Sequence, residues 1–443
     1  MSNENFEEYQ RDEELLEARR LRRLEMKRKR KIQQRIILGV LALIMVLAIV
    51  LIVRGCSSNR QNEQEQLEQE QIMPEVPEIP EEPAKPDTKI SLSAVGDIMV
   101  YDEQIADARQ EDGTYSFANS FSAISAFTSF ADFTVGNLEL NFVGSTDYQG
   151  KGIWNAPEVL AEDLKNIGFD ILQTANTYSI NNGINGLTNT IKYLNAAGID
   201  HLGTYIETSE KTDGGGVVVR EKNGIKIAFV AFTKGLNGYT LPTGSEYCVD
   251  LLYTDYDKNY SNVNESAILE RLDAAKSHDP DVIVAMLHWG AEYELETSAS
   301  QEEITDLMLK NGVDVILGTH SHVVGPMETR TVETVDGEEK ECFVAYSLGN
   351  FFSYMPEKNY AMESVILNLE FTKSGETGET TVSSIEYLPI YILERGEDAE
   401  TRFEVLPIRP AIESSLFEEN KEAMLDAIDH LKTNTASAYD SGK

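Results

Sequence analysis

The chain has 443 residues, of which 38 are basic and 75 acidic, a formal net charge of −37. Residues 54–443 alone carry 27 basic and 67 acidic side chains, a net −40, which repels phosphate backbones and excludes nucleic-acid binding by counterion release. Three scattered cysteines (Cys56, Cys248, Cys342) with no CxxC pair offer neither a disulfide framework nor a thiolate zinc site, so any metal here must use His, Asn and carboxylate ligands.

Residues 1–35 form a charged segment that ends in ten Lys/Arg and one acid between Arg19 and Arg35. Residues 36–53, IILGVLALIMVLAIVLIV, are 18 apolar residues in a row, enough for a short transmembrane helix. The basic flank places the N-terminus in the cytoplasm and everything after Arg54 outside, so a single-pass cell-membrane protein is expected. Cys56 after the apolar run leaves a lipoprotein reading open, but Arg54 and the long basic segment oppose it. Residues 54–88 are Gln/Glu-rich and then Pro-rich, a semi-stiff linker rather than a fold. The globular part is divided into residues 89–355 and a C-terminal stretch, 356–443, that completes it.

From Lys89 onward short apolar runs alternate with helical patterns. Strands are expected at 90–95, 133–135, 170–174, 217–219, 225–231, 282–287, 313–317 and 343–347. Helices are expected at 157–167, with Pro157 in the first turn, and at 186–197, 267–277 and 302–310. Gly168, Gly198 and Gly312 stand where helix C-caps belong. Strands at 365–371 and 380–387 and a helix near 414–431 close the chain. This alternation argues for an α/β domain with a largely parallel, buried sheet.

The ends of the strands carry the chemistry. Successive strands lead into Gly96-Asp97, Gly136-Asn137-Leu138-Glu139, Ala175-Asn176, His288-Trp289-Gly290, Gly318-Thr319-His320-Ser321-His322 and Gly349-Asn350. In an open α/β sheet the carboxyl ends of the strands line the ligand crevice, so these side chains are expected to converge. Imidazole and carboxylate donors suit one or two divalent ions, manganese, zinc or iron. Taken singly each residue has a plain structural reading: Asp97 as a helix cap, Glu139 as an exposed acid, the asparagines as turn residues, His288 as a hydrogen-bonded core histidine. His201, His278 and His430 are read as incidental.

In this order the residues resemble the CapA family of bacterial capsule and poly-γ-glutamate synthesis. The carrying segments are AVGDIMV (94–100), ADFTVGNLEL (131–140), NAPEVLAEDLKNIGFDILQTAN (155–176), NTIKYLNAAGIDHLGT (189–204), VAMLHWGAEYE (284–294), LMLKNGVDVILGTHSHVVGP (307–326) and AYSLGNFFS (345–353). The resemblance implies a calcineurin-like metallophosphatase sandwich, two mixed β-sheets flanked by helices. Carried over by position, it implies a metal set of Asp97, Asn137, Glu139, Asn176, His288, His320 and His322, catalytic roles for His288 and Tyr178, a substrate contact from Trp289, and for Asn350 a structural or substrate-side role. Where the family has Ala-Asn-Asn-His, this chain reads Ala175-Asn176-Thr177-Tyr178, so a usual metal ligand and a usual proton donor are replaced. Two functions follow as expectations. One is a membrane-anchored hydrolase or transferase acting on a surface polymer or a phosphate-containing precursor. The other is a non-catalytic accessory subunit partnered with polymer-synthesis proteins in the membrane. An extracellular phosphatase or nucleotidase is a third, by superfamily analogy.

Overall fold

The computed structural model describes residues 85–442 apart from 398 and 436. The charged segment, the apolar run and nearly all of the linker lie outside the described residues. Among the described residues no helix is long and apolar enough to cross a membrane.

The described chain folds into two sheets. The first contains β1 (Thr88–Ile98), β2 (Phe133–Leu138), β3 (Ile171–Gln173) and β4 (Asp200–Leu202), parallel to one another in that order. The second contains β5 (Val218–Lys222), β6 (Ile225–Thr233), β7 (Val282–His288), β8 (Val315–Thr319), β9 (Met327–Glu333) and β10 (Glu339–Ala345). Within it β6, β7, β8 and β10 run parallel and β5 and β9 lie antiparallel at the edges. Short β11 (Asn350–Phe352) returns to the first sheet beside the end of β1, on the side away from β2. On that same side β12 (Glu363–Lys373), β13 (Thr380–Glu394) and β14 (Phe403–Pro407) extend the sheet, each antiparallel to the strand before it.

Both sheets are therefore mixed, rather than one largely parallel sheet. The alternating pattern carried no signal for β4, β9, β11 and β14, because short or edge strands lack the long apolar run that marks a buried parallel one. The element bounds also shift. The helix expected at 157–167 is Val159–Asn166 with Glu158 at its N-cap, so Pro157 precedes the cap instead of occupying the first turn. The closing helix is Lys421–Asn434, preceded by a 3₁₀ turn at Ser415–Asn420.

Period-two alternation explains the layering. Leu92, Ala94, Val135 and Ile171 of the first sheet meet Ile227, Phe229, Val284, Met286, Val315 and Leu317 of the second in one core between the sheets. The opposite faces of the same strands are also apolar. Val95, Leu138 and Leu172 pack with Leu160, Leu164 and Leu194 of the helices at Val159–Asn166 and Gly183–Ala197. Val230, Ala285, Leu287 and Ile316 pack with Leu272, Ile304 and Met308 of the helices at Glu265–Ser277 and Ala299–Lys310. The carboxyl ends of β1, β2, β3, β7 and β8 open at one end of this sandwich.

Candidate metal centre

At that end each strand delivers its side chain through a backbone constraint. Asp97 is in register with Asn137 of β2 on one side and with Asn350 of β11 on the other. Its backbone N–H donates to the Gly349 carbonyl at 2.9 Å. This approach requires a glycine before it, since a Cβ on Gly96 would lie 1.9 Å from the Gly349 oxygen. Gly318 is constrained in the same way by the Tyr346 carbonyl, also 1.9 Å from a built Cβ. Beyond β8 both His320 (φ 92°) and His322 (φ 60°) adopt left-handed backbone, which L-residues rarely do outside sites held by their surroundings. The His320 backbone N–H donates to Asp97 Oδ2 at 3.2 Å, tying this loop to β1.

The side chains then meet in a buried cluster. His288 Nε2 lies 3.2 Å from Glu139 Oε1 and 2.8 Å from Thr177 Oγ1, while its Nδ1 faces Asn137 Nδ2 at 3.3 Å and Thr319 Oγ1 at 3.1 Å. Thr177 Oγ1 is also 3.4 Å from His320 Nδ1, and the His288 and His320 ring centroids are 4.5 Å apart. His322 Nδ1 sits 3.3 Å from Asp97 Oδ2 and 3.0 Å from Asn350 Oδ1. Asn137 Nδ2 donates to Asp97 Oδ1 at 2.6 Å. Two donor sets result, Glu139–His288–His320 and Asp97–Glu139–His322, each with its ligand atoms within 4.8 Å of one another, and Glu139 belongs to both.

The electrostatics of the cluster are those of a site short of positive charge. Burial, and then the Asp97 charge, push the Glu139 carboxyl well above the usual carboxylate range. Its Oε2 is buried with no hydrogen-bond partner. Burial drives His288 down to about 3 and His320 well below its ordinary value, so both rings are neutral and keep a lone pair. Burial opposes the charged form of Asp97, but the hydrogen bond and charge of His322 outweigh it and hold the carboxyl low. His322 is raised to about 9, its burial outweighed by the hydrogen bond to Asp97 and by the Glu139 and Asp97 charges. An orphaned carboxylate oxygen beside two neutral imidazoles is a donor set that fits a divalent transition metal.

Against this geometry, residues 91–355 match the family described as bacterial capsule synthesis protein PGA_cap. The chain belongs to this family. Among its relatives, the capsule biosynthesis protein CapA of Bacillus anthracis is 27% identical over 274 residues, covering 59% of this chain and 59% of that one. The PGA biosynthesis protein CapA of Bacillus subtilis (strain 168) is 25% identical over 308 residues, covering 68% and 72%. The chain thus matches about three fifths of the length of the Bacillus anthracis relative. Among solved structures it resembles an NAD nucleotidase of Haemophilus influenzae (12% identity, TM-score 0.40, 80% of this chain and 57% of that one). A phosphatase of Mycoplasma pneumoniae is also similar (16%, 0.38, 69% and 94%).

Of the residues singled out in this CapA-family sequence, Asp97, Asn137, Glu139, His288, His320 and His322 are brought together. Asn176 is adjacent but engaged: its Nδ2 donates to the Leu138 carbonyl (2.7 Å) and to Asn137 Oδ1 (3.2 Å), and its Oδ1 accepts from the Tyr178 backbone N–H (3.1 Å). It braces β2 against the following turn. The Tyr178 ring lies against Trp154, with centroids 5.1 Å apart, and burial raises its hydroxyl so that it stays protonated.

The expectation of substrate contact is corrected at Trp289, and at Asn350 the structural one of its two readings fits. Trp289 is fully buried on the far face of β7, its Nε1 donating to the Tyr346 carbonyl at 3.0 Å and its ring stacked on Tyr346. Successive residues of a strand point to opposite faces, so a neighbour of His288 is turned away from the cleft. Asn350 is fully buried, its amide donating to the His322 and Ala361 carbonyls and its Oδ1 facing His322 Nδ1. Its position sets the His322 ring instead of meeting a ligand.

In sequence Thr177 marks only a lost ligand, yet its hydroxyl stands between His288 and His320. Thr319, not among the expected site residues, ends β8 just before His320 and faces His288. Lys234, which immediately follows β6, also lines the cleft beside the cluster. The rule that located the other residues, a polar side chain directly after a parallel strand, applies to Lys234 as well.

Proposed function

We propose that this CapA-family protein is a membrane-anchored component of surface-polymer synthesis whose outer domain holds one or two divalent transition ions and carries out hydrolase- or transferase-type chemistry. The observation that carries this reading is Glu139, shared by two donor sets and left with a buried, unpartnered oxygen. Glu139, His288 and His320 would hold one ion, and Asp97, Glu139 and His322 the other. A metal so placed would supply Lewis acidity toward a phosphoryl or acyl oxygen and toward water. The protein's own contribution is orientation. Asn137 and Thr319 fix the His288 ring from its Nδ1 side, and Asn350 does the same for His322. Burial of the whole set excludes bulk water from the ligands. A capsule polymer or its phosphate-containing precursor as substrate, and residues 36–53 as the anchor, complete the proposal.

A second reading has its own support. Thr177 and Tyr178 replace an amide and an imidazole, and the Tyr178 hydroxyl, held protonated against Trp154, is a weak proton donor near neutral pH. A domain of this kind would serve as an accessory subunit that keeps the fold.

The deciding experiment is elemental analysis of the full chain, purified in detergent without chelator, beside His320→Ala and His322→Ala. One or two equivalents of transition metal, lost in the variants together with any turnover of polymer or phosphate ester, would support the enzyme. Absence of metal after manganese or zinc is supplied would transfer support to the accessory reading.

A further inference from the structure

Beside the cluster lies a cleft of about 440 Å³ lined by Thr177 and His320 on one side and by Lys234, Gly235, Tyr260 and Glu292 on the other. Lys234 is the cation among the residues that line it, in a domain whose charge is overwhelmingly negative. Its backbone is registered to the cluster, because its N–H donates to the His288 carbonyl at 2.8 Å as β6 leaves its pairing with β7. The ammonium is held on two sides. It donates to the Gly290 carbonyl and sits over the Tyr260 ring, 4.8 Å from the centroid. An ammonium carries three donors, so Lys234, which lines the cleft, keeps donor capacity beyond the Gly290 carbonyl. The ring reaches this position because residue 235 has no side chain: a Cβ on Gly235 would lie 2.7 Å from Tyr260 Cε1. Tyr260 itself has left-handed backbone (φ 54°). Lysine, aromatic face and glycine gap together make a cradle beside the candidate metal ligands.

We propose that Lys234 and Tyr260 form a subsite that takes one oxyanion of the substrate, a carboxylate or a phosphate, and holds it next to the Thr177–His320 edge of the cluster. The proposal deepens the functional reading above and rests on it for what is presented to the metal, but anion capture by Lys234 has an independent readout. A half-buried lysine gives a charge-assisted hydrogen bond in a place where water competes poorly. Glu292, exposed on the same cleft, opposes entry of a second negative charge, so the subsite suits an isolated anionic group.

The test uses the full chain in detergent, with calorimetric titration of two probes, inorganic phosphate and glutarate. Wild type, Lys234→Met and Lys234→Arg are compared, and metal content and melting temperature are recorded for each. The wild type should bind at least one probe. Lys234→Met should weaken that binding by roughly tenfold or more, the loss expected for one hydrogen bond to a charged group, while Lys234→Arg should retain most of it. Preference for phosphate points to a phosphate ester, preference for glutarate to a polymer carboxylate. Wild type binding neither probe, or Lys234→Met binding as tightly as wild type, would overturn the subsite. Should Lys234→Met unfold, protection of Lys234 from amine acetylation by either probe in the wild type, read by mass spectrometry, decides the same point, and absence of protection counts against it. Lys234-dependent binding in a protein that takes up no metal would sink the metal reading and leave the subsite standing. Normal metal content with binding indifferent to Lys234 would do the reverse.

Discussion

Glu139 is the ligand candidate on which both donor sets depend, and in the metal-free protein it is an uncompensated buried acid. Glu139→Gln keeps the shape and removes the charge, so it separates the two roles. Metal affinity should fall by more than about tenfold, a loss at least as large as those seen when groups that merely orient ligands are removed. The metal-free variant should melt no lower than wild type, because an amide cannot ionise and so escapes the burial and the Asp97 charge that disfavour the Glu139 carboxylate. Chelator-competition titration and differential scanning calorimetry read the two quantities, and a variant that binds metal like wild type would remove Glu139 from the ligand set. At this scale the sequence was informative where a glycine and a ligand-type side chain follow a strand together, as at Gly96-Asp97 and Gly318-Thr319-His320. It misled at Trp289, where adjacency to His288 hid the alternation of faces. It could not speak for Asn350, whose role is defined by the His322 and Ala361 carbonyls, partners 28 and 11 residues distant. Lys234 carries the same local mark, a polar side chain directly after a parallel strand, but a lysine is no metal-ligand type and so does not stand out beside the carboxylates and imidazoles.

The elements that hold these residues depend on close backbone approaches. Gly96→Ala would force β1 away from the Gly349 carbonyl and carry Asp97 with it. A loss of roughly 1–3 kcal/mol or somewhat more, in the range of overpacked cores, is expected in chemical denaturation, together with reduced metal uptake. Unchanged stability would mean that β11 yields easily. A second prediction concerns the closing helix. Glu363 at the start of β12 is buried and faces His430 of that helix, whose Nδ1 is 3.4 Å from its carboxylate oxygens. Burial, and then the charge of Asp426, push the Glu363 carboxyl up to about 8. The folded-state value lies above the ordinary 4.5, so its contribution to stability is complete below that pH and is lost as pH rises through about 8. Glu363→Gln should therefore gain in melting temperature relative to wild type between pH 5 and pH 9. A pH-independent difference between the two proteins would contradict this. The long central strands were legible in the sequence because both their faces are apolar. Strands β4 and β11, three residues each, were not, since they exist through pairing with partners far away in the chain.

At the scale of the whole molecule the acidic surface sets the terms of association. Residues 54–443 carry a net −40, so a polyanionic polymer meets long-range repulsion before it reaches the cleft. Salt shortens the reach of that repulsion, the Debye length falling from about 30 Å at 0.01 M to about 8 Å at 0.15 M. Apparent affinity for poly-γ-glutamate, followed by fluorescence anisotropy of a labelled polymer, is expected to rise across that interval. A fall would mean that attraction by a local cationic patch governs capture. The charge balance and the metal-ligand inventory could both be read from composition. The convergence of Asp97 and Glu139 with three histidines from the other sheet required a topology in which the two parallel sets of strands end on the same side. That division has a consequence for the life of the protein. Asp97 and Glu139 belong to one half of the sandwich and His288, His320 and His322 to the other, so an ion shared among them would fasten the halves like a rivet. Starved of that ion, the sandwich would gape first at this end, exposing interior chain to proteases, and the abundance of the protein would track the metal supply.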